Sequence, residues 1–303
     1  MTAFALVAVA ALLMSTKGIL AKFMYAAGIG VEELLFLRSA IALPLFWAFA
    51  VWKLGLIGTL RIDRGPLLVC LGVGFLTYCG GAIADFEALR RIDAGLERIL
   101  VYSFPAMVVL ADAVRRRRIP PGSQILALVL TYGGIFLAMG GFDADLLREN
   151  LLGAALAIVA AITFAAYMMV NQQASRNTGS VRFTTYAMTG AAAGLTVYFL
   201  TAAPPGVLSF GLDGWAMLAV MAVFITVLPF FLLAEGIHRI GAPRAALIYT
   251  VGPPVTLVLA HFTLGEVMMW VQLVGAGLVL AGVLAIELRG RDGPRPASAD
   301  AAD

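Results

Sequence analysis

The sequence predicts an all-α polytopic membrane protein, with ten transmembrane helices forming two inverted five-helix repeats. Three observations lead there. The 303 residues are 61% hydrophobic and 13% charged, with a mean hydropathy of +0.95. Soluble domains carry roughly 45–50% apolar and about 25% charged residues. Apolar runs near the ~20 residues that cross a bilayer as a helix follow one another along most of the chain. Finally, the two halves match when one is slid by 148 positions. An ordinary soluble enzyme and a disordered chain are both excluded by this composition.

The ten runs are 3–26, 34–53, 66–88, 94–113, 123–141, 151–172, 183–203, 214–235, 243–262 and 268–287. The first lacks a basic start and carries Lys17 and Lys22 late, so it reads as a span and not as a signal peptide. The second follows Glu32-Glu33 and ends at Trp52-Lys53. Cys70 and Cys79 in the third are read as small apolar residues, not as a disulfide or metal framework. The fourth contains Pro105 and is followed by Arg115–Arg118; the sixth ends near Asn171 and Gln172. Gly190 and Gly194 on the seventh, and Gly275, Gly277 and Gly282 on the tenth, suit close helix packing within the chain. Pro253 and Pro254 interrupt the ninth. A β-barrel would show alternating segments of about ten residues instead. The polar tail 289–303 is expected to be disordered.

Loop charge sets the orientation. With the N-terminus in the cytoplasm, the inner loops hold fourteen Lys and Arg and the outer loops four. Both termini are therefore predicted to be cytoplasmic. Trp52, Trp215 and Trp270 fall at span ends, where interfacial aromatics belong. The net charge of +3 is small and scattered, so no nucleic-acid partner is expected. The expected partners are the lipid bilayer and a small-molecule substrate. A monomer is the first expectation, with a homodimer as the alternative.

At the 148-residue offset Glu87 meets Glu235, Arg91 meets Arg239, Ile92 meets Ile240 and Ala94 meets Ala242. Further along, Pro105 meets Pro253, Gln124 meets Gln272, Leu130 meets Leu278 and Gly134 meets Gly282. The halves are 1–142 and 143–288. Five spans per half is odd, so the second half enters from the opposite side. Arg115–Arg118 after span four have no basic counterpart in Thr263-Leu264-Gly265-Glu266, as an outer loop requires. Inverted repeats mark many secondary transporters, whose sites lie near the midplane between the repeats.

Local sequence adds to this pattern. Ser15-Thr16-Lys17-Gly18, Leu37-Arg38-Ser39, Ala94-Gly95-Leu96-Glu97-Arg98 followed by Pro105, and Leu264-Gly265-Glu266 stand in spans one, two, four and before ten. On these residues the chain resembles the drug/metabolite transporter superfamily, in its EamA-type ten-helix branch. The resemblance implies a transporter of amino acids, other metabolites or drugs, more often exporting, in a bacterial-type inner membrane. A four-arginine run departs from the usual Leu-Gly-Glu turn before span five.

Ionisable groups within spans cost at least about 2.5–3.5 kcal/mol and default to functional candidates. Lys17 either binds a substrate carboxylate or pairs with Asp85. Asp85, which meets Leu233 in the second half, is the candidate proton carrier or lysine partner. Asp85, Glu97 and Arg98 join Lys17 in an expected charge cluster. Glu87–Arg91 and Glu235–Arg239 are candidate symmetric gate latches, or solvated helix ends. Lys22 and Arg38 are expected to snorkel outward, with Arg38 locking span two to Glu32, Glu33 or a neighbouring helix end. Pro105 and Pro253 are candidate paired hinges.

Tyr78, Tyr102, Phe104, Tyr167, Thr226, Phe230 and Tyr249 complete the candidate substrate site, because aromatic walls with few polar groups suit a small organic ligand. Ser103, Thr163 and Thr250 lie at similar depth. His261 is expected to be structural. The sequence carries no Ser-His-Asp set, metal motif, phosphate loop or dinucleotide fingerprint, so no catalytic residue, cofactor or metal is predicted. The leading expectation is a metabolite transporter, amino acids first. A multidrug or nucleotide-sugar-like carrier is the alternative, and an intramembrane enzyme is a distant one.

Overall fold

In the computed structural model the backbone is described for residues 2–108, 111, 117, 122–138, 144–202, 211–249, 252–267 and 269–289; some side chains in 123–147 and 243–289 are not. Arg115, Arg116, Arg118, Thr250 and the tail beyond 289 lie outside the described residues, as do the side chains of Pro253 and Pro254.

All regular structure among the described residues is helical. The first half runs α1 (Ala3–Ser15), α2 (Lys17–Ala26), α3 (Val31–Leu54), α4 (Leu56–Leu60), α5 (Arg64–Val73), a π-helical segment (Gly74–Gly80), α6 (Gly81–Leu89), α7 (Ala94–Val101) and α8 (Gly122–Ala138). The second half runs α9 (Ala144–Thr178), α10 (Ser180–Ala202), α11 (Leu212–Val220), a π-helical segment (Met221–Val227), α12 (Leu228–Ile240), α13 (Ala242–Tyr249), α14 (Gly252–Leu264) and α15 (Trp270–Arg289).

Five helical stretches among the described residues are long and apolar enough to cross a membrane: Ala3–Ala26, Val31–Leu54, Arg64–Leu89, Arg148–Thr178 and Leu212–Ile240. The surface supports the same conclusion. Ile57, Leu200, Leu212, Phe262 and Trp270 are exposed, whereas Lys17, Arg38, Asp85, Glu97 and Arg98 are buried. Water would penalise that inversion, because ionisable groups are almost never fully buried in a soluble protein unless paired. Lipid favours it. The chain is a polytopic helical membrane protein.

Several helices are interrupted where the sequence offers a local competitor for the backbone. Ser15 and Thr16 hydroxyls donate back to the carbonyls of Ala11 and Leu13, each at 2.7 Å. Such bonds weaken the helix ladder, and the helix breaks at Thr16, one residue before Lys17. In the fourth run α7 stops at Val101, and the Ser103 hydroxyl donates to Leu100 O at 2.7 Å. Pro105, two residues on, has no N–H to continue the ladder.

Two structural coincidences follow the sequence offset. α7 and α13 both contain eight residues, and Ala94–Ala242 and Val101–Tyr249 are each 148 positions apart. The π-helical segments both contain seven residues, with Gly74 and Met221 lying 147 apart. π-Helical turns are rare and concentrate at functional sites.

Small residues allow the close approaches. A Cβ on Gly190 would strike the backbone of Leu71, and one on Gly194 would strike Phe75 and Cys79. The Gly190–Gly194 face is therefore consumed inside the chain. Gly134 lies against the backbone of Gly275 and Val279 in the same way.

Candidate functional site

The helix breaks surround a cavity of ≈ 660 Å³, counting its open mouth. Its charged lining comes from Lys17, Arg38, Asp85 and Arg98. Tyr78, Phe86, Tyr102, Phe104, Phe164, Phe230 and Tyr249 supply aromatic walls. A second chamber of ≈ 340 Å³ adjoins it, with Arg38, Tyr78 and Phe230 lining both.

The charges form one cluster. Lys17 Nζ donates to the Asp85 carboxylate and lies 3.7 Å from Glu97 Oε1. Arg98 donates to Met14 O at 2.7 Å, a carbonyl next to the Thr16 break, and its Nε lies 3.9 Å from Glu97 Oε2. Glu97 is fully buried, and its carboxyl group lies against that of Asp85. Phe86 sits beneath two cations: Lys17 Nζ is 5.4 Å and Arg38 Cζ 4.9 Å from its ring centroid. A ring face attracts cations through its quadrupole.

Arg38 departs from the sequence expectation. It does not snorkel outward or pair with Glu32 or Glu33. It is 7% exposed, it lines both chambers, and its Nε is buried without a hydrogen bond. Arginine at this depth can point either way along its flexible stem. The Phe86 face and the cavity decide the direction.

Most predicted substrate residues converge. Lys17, Tyr78, Tyr102, Phe104, Phe230 and Tyr249 line the main cavity, and Thr226 lines the second. Tyr167 stands behind them, with its ring 4.8 Å from that of Tyr78 and its hydroxyl accepting from Asn171 Nδ2 at 3.2 Å. Tyr102, just past the end of α7, and Tyr249, the last residue of α13, stack at 5.8 Å and 19°. Thr77 and Thr226 lie on the two π-helical segments and donate to Val73 O at 2.6 Å and to Met221 O at 3.0 Å.

The candidate latches are local pairs. Arg91 donates to the Glu87 carboxylate, and Arg239 Nε donates to Glu235 Oε1 at 2.6 Å. Among the described residues only the second also ties two helices, because the Ser180 hydroxyl donates to Glu235 Oε2. Pro105 is buried, as is Phe104 before it, and Pro253 is the second residue of α14. A proline in a first turn leaves no hydrogen bond unmade.

One cross-half contact was missed as a site. α14 ends at Leu264 with Gly265 in the left-handed conformation at φ +68°. Glu266 N–H then returns to Ala260 O at 3.4 Å, which folds the chain back on the end of α14. The turn aims Glu266 at the N-terminus of α7. Its Oε1 accepts from Ala94 N at 2.9 Å and its Oε2 from Gly95 N at 3.0 Å. His261 Nδ1 lies 3.1 Å from Glu266 O. At the corresponding N-terminus of α13, neutral Gln172 Oε1 accepts from Ala242 N at 3.0 Å. The Leu-Gly-Glu signal was visible in the sequence, but its partner lies 171 or more residues away.

An interrupted-helix membrane fold around a buried polar cavity is the architecture of a membrane transporter. The chain belongs to the EamA-like transporter family, whose model matches residues 1–140 and 151–288. It is 31% identical over 280 residues to "Uncharacterized transporter YcbK" of Bacillus subtilis (strain 168), covering 91% of this chain and 89% of that one. An "Uncharacterized transporter" of Archaeoglobus fulgidus is 27% identical over 248 residues, covering 81% and 85%. A solved crystal structure superposes with a TM-score of 0.67 at 18% identity, over 96% of this chain and 98% of its own, and so shares the fold.

Proposed function

We propose that this protein is a secondary transporter that exports a small carboxylate-bearing metabolite, with amino acids as the leading class. Ten transmembrane helices in two inverted repeats, 1–142 and 143–288, would place the site at the midplane. The two family matches, the equal α7 and α13, and the two π-helical segments support this arrangement. The loop-charge asymmetry supports an inner-membrane orientation with both termini cytoplasmic.

The observation that carries the reading is the cavity itself. Its wall combines cationic side chains with aromatic rings drawn from both halves. Cations meet a carboxylate, and rings meet an organic side chain. Transport proceeds by rocking of the halves, and substrate shifts the populations of the two facing states. A latch such as Glu266 on α7 must open in one state and close in the other.

The test is counterflow in proteoliposomes, scanning labelled amino acids, other carboxylates and cationic drugs. Exchange of carboxylates supports the proposal. Exchange of cationic drugs alone replaces it with the multidrug reading, and no exchange of any probe overturns it.

A further inference from the structure

The cavity wall holds a buried arginine that forms no ion pair among the described residues. Arg38 is 7% exposed, and its Nε has no hydrogen-bond partner. Its guanidinium carbon rests 4.9 Å over the Phe86 ring. Contact with a ring face occupies the plane of the guanidinium and leaves its edge available for hydrogen bonds.

The neighbouring cations are engaged. Lys17 donates to Asp85 and lies 3.7 Å from Glu97. Arg98 donates to the Met14 carbonyl and lies 3.9 Å from Glu97. Lys17, Arg38 and Arg98 thus share this buried region with two carboxylates, Asp85 and Glu97. Three cations face two carboxyl groups there, so at least one positive charge is in excess. A buried charge without a counter-ion is costly, and a ligand carboxylate offsets the excess. The guanidinium edge also matches a carboxylate through two parallel hydrogen bonds.

We propose that Arg38, and not Lys17, is the anion anchor of the site, and that the substrate is held there through a carboxylate. The inference rests on reading the cavity as the transport site. Tyr78 and Phe230 line both chambers beside Arg38 and flank the organic part of the ligand. Lys17 remains bound within the Asp85–Glu97 cluster and holds the broken helix α1–α2 against α6 and α7. An α-amino group is not required by this arrangement.

The experiment compares L-leucine, its 2-oxo acid and its carboxamide as probes on the purified protein, by thermal stabilisation and by counterflow. Wild type, Arg38→Gln and Arg38→Lys are measured side by side. The two carboxylates are expected to stabilise and exchange in wild type, and the carboxamide to do neither. Arg38→Gln lowers carboxylate affinity about tenfold or more, the range of a charge-assisted hydrogen bond. Arg38→Lys keeps the charge, and with it the fold if Arg38→Gln fails to fold, but loses the two-pronged geometry and falls between the two. Carboxylate affinity unchanged in the folded Arg38 variants overturns the anchor and leaves the transporter reading intact. The same follows if the carboxamide binds as well as the acids. Carboxylate binding lost in the Arg38 variants, without counterflow of any probe in wild type, keeps the anchor and overturns the transporter reading. No carboxylate stabilisation in wild type overturns the anchor.

Discussion

Glu266 accepts the backbone N–H of Ala94 at 2.9 Å, with its other oxygen on Gly95, and so caps helix α7 from the far end of the chain. A carboxylate at a helix N-terminus satisfies orphan donors and meets the positive end of the helix dipole. Glu266→Ala is expected to lower stability by about 0.5–2 kcal/mol, the range of a lost cap, and to raise hydrogen exchange over residues 94–97. Glu266→Gln keeps an acceptor and loses less. Unchanged exchange at 94–97 in Glu266→Ala would show that the contact does not hold the two segments together.

The Lys17–Asp85 pair is buried, at 7% and 8% exposure. Removing Asp85 leaves Lys17 only the 3.7 Å contact with Glu97. Asp85→Asn alone is expected to cost up to about 3–5 kcal/mol, the range for breaking a buried pair, and Lys17→Met with Asp85→Asn to recover part of that loss. Unfolding in detergent micelles reads the difference. A double variant no more stable than either single one would refute the pairing argument.

Gly252 stands where residues 1–142 and 143–288 approach closely beside the cavity. A Cβ there would collide with the Tyr102 hydroxyl and come within 3.2 Å of Ser15 Oγ, which itself donates to Gly252 O at 3.2 Å. Gly252→Ala is expected to cost about 1–3 kcal/mol, as overpacking does. Adding Tyr102→Phe removes the nearest clashing atom and restores part of the loss. Melting curves of the three variants decide it, and an unperturbed Gly252→Ala curve would mean that the contact is easily relieved.

Pro105 follows the turn at Tyr102–Ser103 that separates α7 from the helical residues 104–108. If that interruption is a hinge, Pro105→Ala slows counterflow several-fold while leaving the melting temperature unchanged or raised. Wild-type rates in this variant would make the bend a fixed shape.

Much of the molecule was legible along the chain. Apolar length and scarce charge disclosed the membrane helices, because lipid demands long segments with satisfied backbones. The unusual positions of Lys17, Asp85, Glu97 and Arg98 disclosed the charge cluster, because burying such groups is too costly to be incidental. Arg38 was misjudged for the opposite reason: a long side chain near a span end has two acceptable directions, and local sequence favours the snorkelling one. Tyr167 was placed in the site by its depth, yet depth does not reveal which helix face meets the cavity.

The sequence by itself determined the solvent of this protein, its helical class and the residues too polar to be left in lipid without partners. Each of those follows from composition or from neighbours a few positions apart. Only the tertiary structure decided that Arg38 turns over Phe86 into the cavity, that Lys17 is taken by Asp85, and that Glu266 caps α7. Those outcomes depend on contacts between helices distant in sequence, where packing and the need to satisfy buried charge override the preference of any one segment.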